Sequence, residues 1–296
     1  MSIHSKGRAC IALLSVFALL SANSVHAQEF SRLLDAVQAE ERTLQARVGL
    51  ALFDAESGRT VHYRGDERFP LNSTHKAFSC AALLARVDAR AVALDAPVSI
   101  SREMLVAYSP ITEKALPPRT ISLRESCRAA VSYSDNTAGN VVLDAIGGAA
   151  GFNAYLRSLG DEQTRLDRRE PELNESVPGD PRDTTTPLAI VGALRQILLG
   201  DGLSESSRIE LKQWMLDDQV GGPLLRASLP ADWRIADKTG AGGYGSRSIV
   251  AVIWPPARQP LVVAIYITQT DAAMTASNQA IARIGAVLSE VFGHRR

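Results

Sequence analysis

The chain has 296 residues, 46% of them hydrophobic and 22% charged, and its 32 basic side chains balance 32 acidic ones to a formal net charge of zero. That is enough apolar material for a large core, in one domain or two interlocked ones. The charge balance leaves nothing to attract a polyanion, so nucleic-acid binding is not expected.

Residues 1–27 read as a secretory signal peptide. Lys6 and Arg8 form a basic start, Ile11 to Leu20 is a mostly apolar stretch too short to span a bilayer comfortably, and Val25-His26-Ala27 supplies small residues for cleavage after Ala27. A lipid anchor on Cys10 is disfavoured, because Arg8 puts a charge where an apolar residue should precede the cysteine. Cleavage would remove two cations and no acid, leaving the mature chain with an excess of two acidic groups. No later apolar run is long enough for a transmembrane helix, so no membrane anchor is expected after cleavage. The expected location is the periplasm, and a monomer is expected. Two cysteines remain, Cys80 and Cys127. An even pair in an exported chain favours a disulfide, with two buried free thiols as the alternative.

The mature chain opens with an alternating aliphatic run from Arg47 to Asp54, a turn at Ala55-Glu56-Ser57-Gly58 and a second extended run from Thr60 to Arg64. This is a hairpin signal. Helical spacing or composition follows in Ser73–Ala89, Leu123–Ala130, Thr137–Ile146, Gly151–Leu159, Pro187–Leu199 and Ser204–Asp217. Asp161 to Thr186 is rich in charge, Pro and Gly and shows no regular element; a loop that long is usually functional or disordered. Ser248–Trp254 and Leu261–Thr268 read as another hairpin, and Ala276–Phe292 as a long amphipathic helix. The expected fold class is α+β: an antiparallel sheet flanked by terminal helices, plus an all-helical lobe. Residues 28–66 and 216–296 would build the sheet lobe from both ends of the chain. Residues 67–215 would build the helical lobe, including the 161–186 loop. A cleft between lobes is the natural place for a site.

Four short segments carry the chemistry. In Ser73-Thr74-His75-Lys76 a hydroxyl and an amine stand three residues apart, on one face of a helix, where an amine can take the hydroxyl proton. Alone, a surface Ser and Lys is the better reading of that spacing. Here, however, the chain has only five lysines, and this is its only Ser-x-x-Lys. Ser134-Asp135-Asn136 adds a hydroxyl and an amide, although in isolation it reads as a helix cap. Lys238-Thr239-Gly240 adds a cation and a hydroxyl; taken alone it is a polar strand start with a Gly bend. The Gly-rich run to Gly245 would let a ligand approach the backbone closely. Glu170-Pro171-Glu172-Leu173-Asn174 supplies a carboxylate and an amide able to hold a water. Together the segments describe a serine acyltransferase site for an anionic acyl substrate, with the means to hydrolyse the acyl-enzyme. His75 lies two residues after Ser73, roughly 200° around a helix, and so reads as packing or support rather than as a triad base. The only other mature histidines are His62 and His294, which gives little basis for a zinc site.

These motifs in this order resemble the serine β-lactamase and penicillin-binding protein superfamily, and class A β-lactamases in particular. Phe69-Pro70-Leu71-Asn72, Tyr108-Ser109-Pro110, Glu113-Lys114, Arg182-Asp183-Thr184-Thr185-Thr186-Pro187 and Gly245-Ser246-Arg247 extend the resemblance over nearly the whole mature chain. It implies that Ser73 is acylated by the lactam carbonyl, that Lys76 and Glu170 share the proton work of acylation, and that Glu170 activates the deacylating water held by Asn174. It implies that Ser134 relays a proton to the lactam nitrogen and that Asn136 binds the substrate's side-chain amide. Lys238, Thr239 and Arg247 would bind its carboxylate. Backbone N–H groups of Ser73 and Ala241 would form the oxyanion hole, with Gly240 between Thr239 and Ala241 and Tyr108 lining the cleft. It further implies a Cys80–Cys127 bridge and an Arg168–Asp183 pair holding the 161–186 loop. No metal or organic cofactor is implied. Carbenicillin-hydrolysing relatives often carry Arg where this chain has Lys238, which leaves that subgroup open. Asn72 and Gly242 stand where some class A carbapenemases carry an extra cysteine pair, and no bulky or charged residue at Gly242-Gly243 signals an enlarged cephalosporin pocket. The expected substrates are penicillins, extending to carbenicillin and early cephalosporins. The rival readings are a transpeptidase or carboxypeptidase that stops at the acyl-enzyme, against which Glu170 and Asn174 argue, and a covalent β-lactam sensor, for which no signalling segment is visible.

Overall fold

The computed structural model describes residues 30–115 and 119–293, so the signal-peptide reading of residues 1–27 lies outside the described residues. A first helix, α1, spans residues 30–44, and its buried Phe30, Leu33, Val37 and Leu44 make one apolar stripe. It leads into the hairpin β1 (Arg47–Asp54) and β2 (Arg59–Tyr63). The chain returns to this sheet only near its end, with β7 (Arg234–Ala241), β8 (Arg247–Trp254) and β9 (Leu261–Thr268). The strand order is β2-β1-β9-β8-β7, every pairing antiparallel, with Arg47 opposite Thr268 and Asp54 opposite Leu261 where the chain's two ends meet.

The central strands are aliphatic almost throughout because both faces of the sheet are covered. On one face Val48, Leu50, Leu52, Ile249, Ile253, Val263 and Ile265 meet α1 and the last helix, α8 (Met274–Gly293). On the other, Ala51, Phe53, Val250, Val252, Val262 and Tyr266 share a core with the helical half of the molecule. Successive residues alternate between the two cores, as a strand's two-residue period requires.

Between the hairpins the short strand β3 (Phe69–Pro70) is followed by a 3-10 turn at Asn72–Thr74 and by α2 (His75–Asp88). All ten residues from His75 to Leu84 are buried, so α2 is a central helix surrounded by its neighbours. The expected helix from Ser73 is thus a tight turn first, and Ser73 sits in it. Strand β4 (Pro97–Ile100) pairs with β5 (Arg119–Ser122); neither was anticipated, since both are short. Helix α3 (Leu123–Ser132) starts with a capping box in which Ser122 and Glu125 satisfy each other's backbone N–H groups. Asp135 caps α4 (Asn136–Ile146), which ends at Gly147 with φ 91° and passes to α5 (Gly148–Ser158). The long polar segment is irregular except for a 3-10 turn at Glu172–Asn174 and the two-residue strand β6 (Thr184–Thr185), paired with β3. Thr186 then caps α6 (Pro187–Leu198), with Pro at the start where its missing N–H costs nothing, and Ser204 caps α7 (Glu205–Leu216).

The reading of Lys238 at a strand start is corrected. Strand β7 begins at Arg234, and Lys238 is its fifth residue, opposite Val250. The polar run Asp237-Lys238-Thr239 hides the strand's alternation, yet all three side chains are buried. Asp237 is accommodated there by Arg226, whose Nε donates to it at 2.6 Å.

Cys80 and Cys127 form the expected disulfide, joining α2 to α3 with 5.7 Å between Cα atoms and 47 residues of separation. Both sit in the core, away from the cleft described below. Thiol titration of the unreduced mature protein should find no free thiol. A Cys80→Ala, Cys127→Ala variant should lose about 2–4 kcal/mol of stability in denaturant melts and keep its activity at low temperature.

Candidate active site

Ser73 lines a cleft of about 280 Å³ whose walls also include Tyr108, Ser134, Asn136, Asn174, Thr239, Gly240, Ala241 and Arg247. Every one of these residues had been singled out in the sequence; Val220 and Met274 complete the lining and had not. Lys76, Glu170 and Lys238 stand behind this surface, fully or almost fully buried.

Lys76 ties the site together. One turn along from Ser73, its Nζ donates to Ser73 Oγ at 2.9 Å, to the Ser134 carbonyl at 2.8 Å and to Asn136 Oδ1 at 2.5 Å. Glu170 Oε1 lies 2.9 Å from the same ammonium and accepts from Ser73 Oγ at 3.5 Å. The side chain reaches these partners past Gly139 on α4, where a Cβ would fall 2.9 Å from Lys76 Cε. Ser134, with φ 60°, turns the chain into α4 between two lysines, and Lys238 Nζ donates to its Oγ at 3.0 Å and to the Thr239 carbonyl at 2.8 Å. Arg247 opens β8 opposite Ala241, donating from Nη1 to the Gly240 carbonyl at 3.0 Å and from Nε to Asn278 Oδ1 at 2.7 Å.

The loop that carries Glu170 is held from several directions. Asn140, one turn after Asn136 on α4, donates to the Glu170 carbonyl at 2.9 Å and accepts from its N–H at 3.0 Å. Arg168 and Asp183 pair as expected, Nε to Oδ2 at 2.6 Å, and Asp183 also accepts the backbone N–H groups of Asp167 and Arg168. Asn72 joins loop to sheet, accepting from Ser176 at 2.8 Å and donating to Ser246 at 2.9 Å. Gly242 lies against this junction, where a Cβ would fall 2.4 Å from Asn72 Oδ1 and 2.6 Å from the Asn174 carbonyl. Asn174 Nδ2 donates to Glu170 Oε2, while its own Oδ1 is buried and has no partner among the described residues.

Burial pushes the Glu170 carboxyl up, but the Lys76 charge and the hydrogen bonds from His75 and Lys76 outweigh burial and hold it well below the usual carboxylate range. Burial lowers the Lys76 ammonium, and the charges of Glu170 and Asp135 recover only part of that loss. Burial also lowers Lys238; Asp218 opposes the effect and the Lys76 charge adds to it, leaving Lys238 at about 7. The site therefore contains an ionised carboxylate, a lysine that can exchange protons more readily than a free one, and the Ser73 hydroxyl within hydrogen-bond reach of both.

The comparisons agree with this geometry. Residues 29–292 match the model of the β-lactamase enzyme family. The β-lactamase AER-1 of Aeromonas hydrophila is 69% identical over 280 residues, covering 95% of this chain and 92% of AER-1. The β-lactamase CARB-3 of Pseudomonas aeruginosa is 44% identical, covering 94% of this chain and 97% of CARB-3. Among solved structures, an ancestral class A β-lactamase superposes with a TM-score of 0.86 at 50% identity, over 88% of this chain and all of that one. The chromosome-encoded β-lactamase of Vibrio parahaemolyticus also gives 0.86, at 41% identity, over 89% of this chain and all of that one.

The chain belongs to the class A β-lactamases. It is a serine hydrolase acting on the β-lactam amide bond, with the α+β fold of that family.

Two contacts of this β-lactamase escaped sequence reasoning. Asn140 was missed although a buried Asn in an apolar helix must find partners, and its spacing of four from Asn136 pointed to the same face. His75 was read as packing or support, turned away from Ser73. It is fully buried, but its Nε2 lies 3.3 Å from Glu170 Oε1, because the loop brings the carboxylate in alongside α2.

The Asp183 contacts generate a prediction. Asp183→Asn keeps the size of the side chain but sets an amide N–H against Arg168 Nε. It should cost about 1–3 kcal/mol of stability and increase proteolytic cleavage within residues 161–186. Unchanged cleavage and stability would show that the pair does not hold the loop.

Proposed function

We propose that this enzyme hydrolyses penicillins through an ester on Ser73, and that Glu170 activates the water that removes it. The observation that carries the reading is the position of Glu170 Oε1, 2.9 Å from Lys76 Nζ and 3.5 Å from Ser73 Oγ. A transpeptidase or a covalent sensor has no use for a loop carboxylate brought that close to its nucleophile.

In this mechanism the Ser73 hydroxyl proton passes to the Lys76–Glu170 pair as Oγ attacks the lactam carbonyl. The N–H groups of Ser73 and Ala241 stabilise the oxyanion. The C–N bond then breaks, and Ser134, within reach of Lys238, delivers its proton to the ring nitrogen and regains one from the Lys76–Glu170 pair, which leaves Glu170 ionised for the next step. In the second half Glu170 takes a proton from water, the hydroxide attacks the ester carbonyl, and Ser73 leaves with a proton returned to Oγ. One water is added across the amide bond and the enzyme is unchanged. Asn174 supports this step, since its Nδ2 fixes Glu170 Oε2 and its unpartnered Oδ1 gives water a second polar contact. Lys238, Thr239 and Arg247 bind the substrate carboxylate, a task suited to a guanidinium fork beside an ammonium. Asn136 binds the side-chain amide, and Tyr108 forms the outer wall.

The substrate class extends on this reading to carbenicillin and early cephalosporins. Initial rates on benzylpenicillin, carbenicillin, a third-generation cephalosporin and a carbapenem would rank the range. The basic, apolar start of the chain and the disulfide support export to the periplasm, where the enzyme acts as a monomer without a membrane anchor. The cleft at the junction of sheet and helices supports the two-lobed division of the chain.

Glu170→Ala should acylate with benzylpenicillin and stop, giving a penicilloyl adduct on Ser73 in the intact mass spectrum. Steady turnover without adduct would remove Glu170 from this role. Lys238 at about 7 is charged below neutrality and loses its charge above it. The kcat/KM for an anionic penicillin should therefore fall as pH rises through about 7, and Lys238→Arg, which stays charged, should flatten that alkaline limb. An identical limb in both enzymes would assign it to another group.

A further inference from the structure

We propose that His75 is a positioning residue for Glu170, its Nε2–H holding carboxylate oxygen Oε1 in the orientation from which water is activated. This rests on the reading of Glu170 given above.

Three donors reach Oε1: Lys76 Nζ at 2.9 Å, His75 Nε2 at 3.3 Å and Ser73 Oγ at 3.5 Å. Two of them have competing duties. The Lys76 ammonium has three N–H bonds and four acceptors around it: Glu170, Ser73 Oγ, the Ser134 carbonyl and Asn136 Oδ1. Ser73 gives up its hydroxyl when it becomes an ester. Among the described residues, His75 Nε2 makes a hydrogen bond only to Glu170. It is the donor on Oε1 that stays in place while the other two change partners.

The geometry of the ring fits a fixed donor. Ser79, one turn further along α2, has its Oγ 3.1 Å from His75 Nδ1. If the hydroxyl donates there, the ring proton is on Nε2, facing the carboxylate. The ring is fully buried and meets Phe152 edge-on with centroids 6.4 Å apart, which leaves it little room to turn. Of the groups that bear on its charge, burial disfavours the imidazolium most. Glu170 favours it, and Lys76 and Lys238 oppose it, with the balance below the usual histidine range. His75 is thus a neutral hydrogen-bond donor that orients the carboxylate without taking its proton. Packing alone needs no nitrogen here, since a phenylalanine would fill the same space.

The test compares His75→Phe, His75→Gln and Glu170→Ala in the mature enzyme, with benzylpenicillin as substrate. Rapid-quench intact mass follows ester formation and ester loss separately. His75→Phe should lose the ester about tenfold more slowly while forming it within about twofold of the wild-type rate, so that kcat and KM fall together. His75→Gln, which keeps a donor, should recover most of the loss. A purely structural ring predicts the opposite order, with Phe better tolerated than Gln. Wild-type ester loss in His75→Phe, with Glu170→Ala still trapping the adduct, would overturn the proposal alone. Turnover by Glu170→Ala without adduct would overturn the reading beneath it as well. A measurement on the unaltered enzyme stands apart from any folding defect in the variants. Long-range proton–nitrogen correlation spectra should show His75 neutral with its proton on Nε2 from about pH 6 to about pH 8. A proton on Nδ1, or a charged ring, would contradict the assignment.

Discussion

The contact between Lys76 and Glu170, 2.9 Å apart with both side chains buried, is the interaction on which the site depends. A buried ion pair is weak structural cement, because the cost of taking two charges out of water offsets most of their attraction. Removing one partner is far worse, at about 3–5 kcal/mol, since the other charge is left uncompensated. The pair is better understood through chemistry. The Lys76 charge keeps the carboxylate ionised, while burial, which Glu170 offsets only in part, loosens the ammonium's hold on its proton beside Ser73.

Much of the surrounding structure serves to bring that carboxylate in. Lys76 comes from the central helix, in the stretch from His75 to Leu84 where every residue is buried, which fixes its side chain. Glu170 comes from a segment almost a hundred residues later that is irregular apart from a 3-10 turn and the two-residue strand β6. Instead, Asn140 grips its backbone from α4, Asp183 holds Arg168 and two backbone N–H groups, and Asn72 bridges loop and sheet through Ser176 and Ser246. The sheet supplies the opposite wall. Strand β7 presents Lys238 inward and Thr239 and Ala241 along the cleft, and Arg247 crosses from β8 to the Gly240 carbonyl.

What was legible in the sequence follows physical lines. Strands β1 and β9 were read with correct ends because their aliphatic character is uninterrupted. The Ser73–Lys76 spacing survives although Ser73 lies in a 3-10 turn, since a turn and a helix both bring residues three apart together. The first half of β7 was not legible because Arg234 and Asp237 look like surface residues. Only the fold reveals Arg226 beside Asp237 and Ser134 beside Lys238. The role of His75 was hidden for a similar reason. Helical geometry places it relative to Ser73, but cannot say that a distant loop will set a carboxylate against its other side.

The central claim is that Glu170 is held ionised in the resting enzyme by the groups around it. Infrared difference spectra between the wild-type enzyme and Glu170→Gln isolate that one carboxyl group. The account predicts carboxylate bands, with no protonated carbonyl stretch, from about pH 3 to about pH 8, whereas an ordinary glutamate, titrating at about 4.3, would be mostly protonated at the lower end of that range. A protonated Glu170 near neutrality would contradict it, because the carboxylate could then neither draw the Ser73 proton through Lys76 nor take one from water.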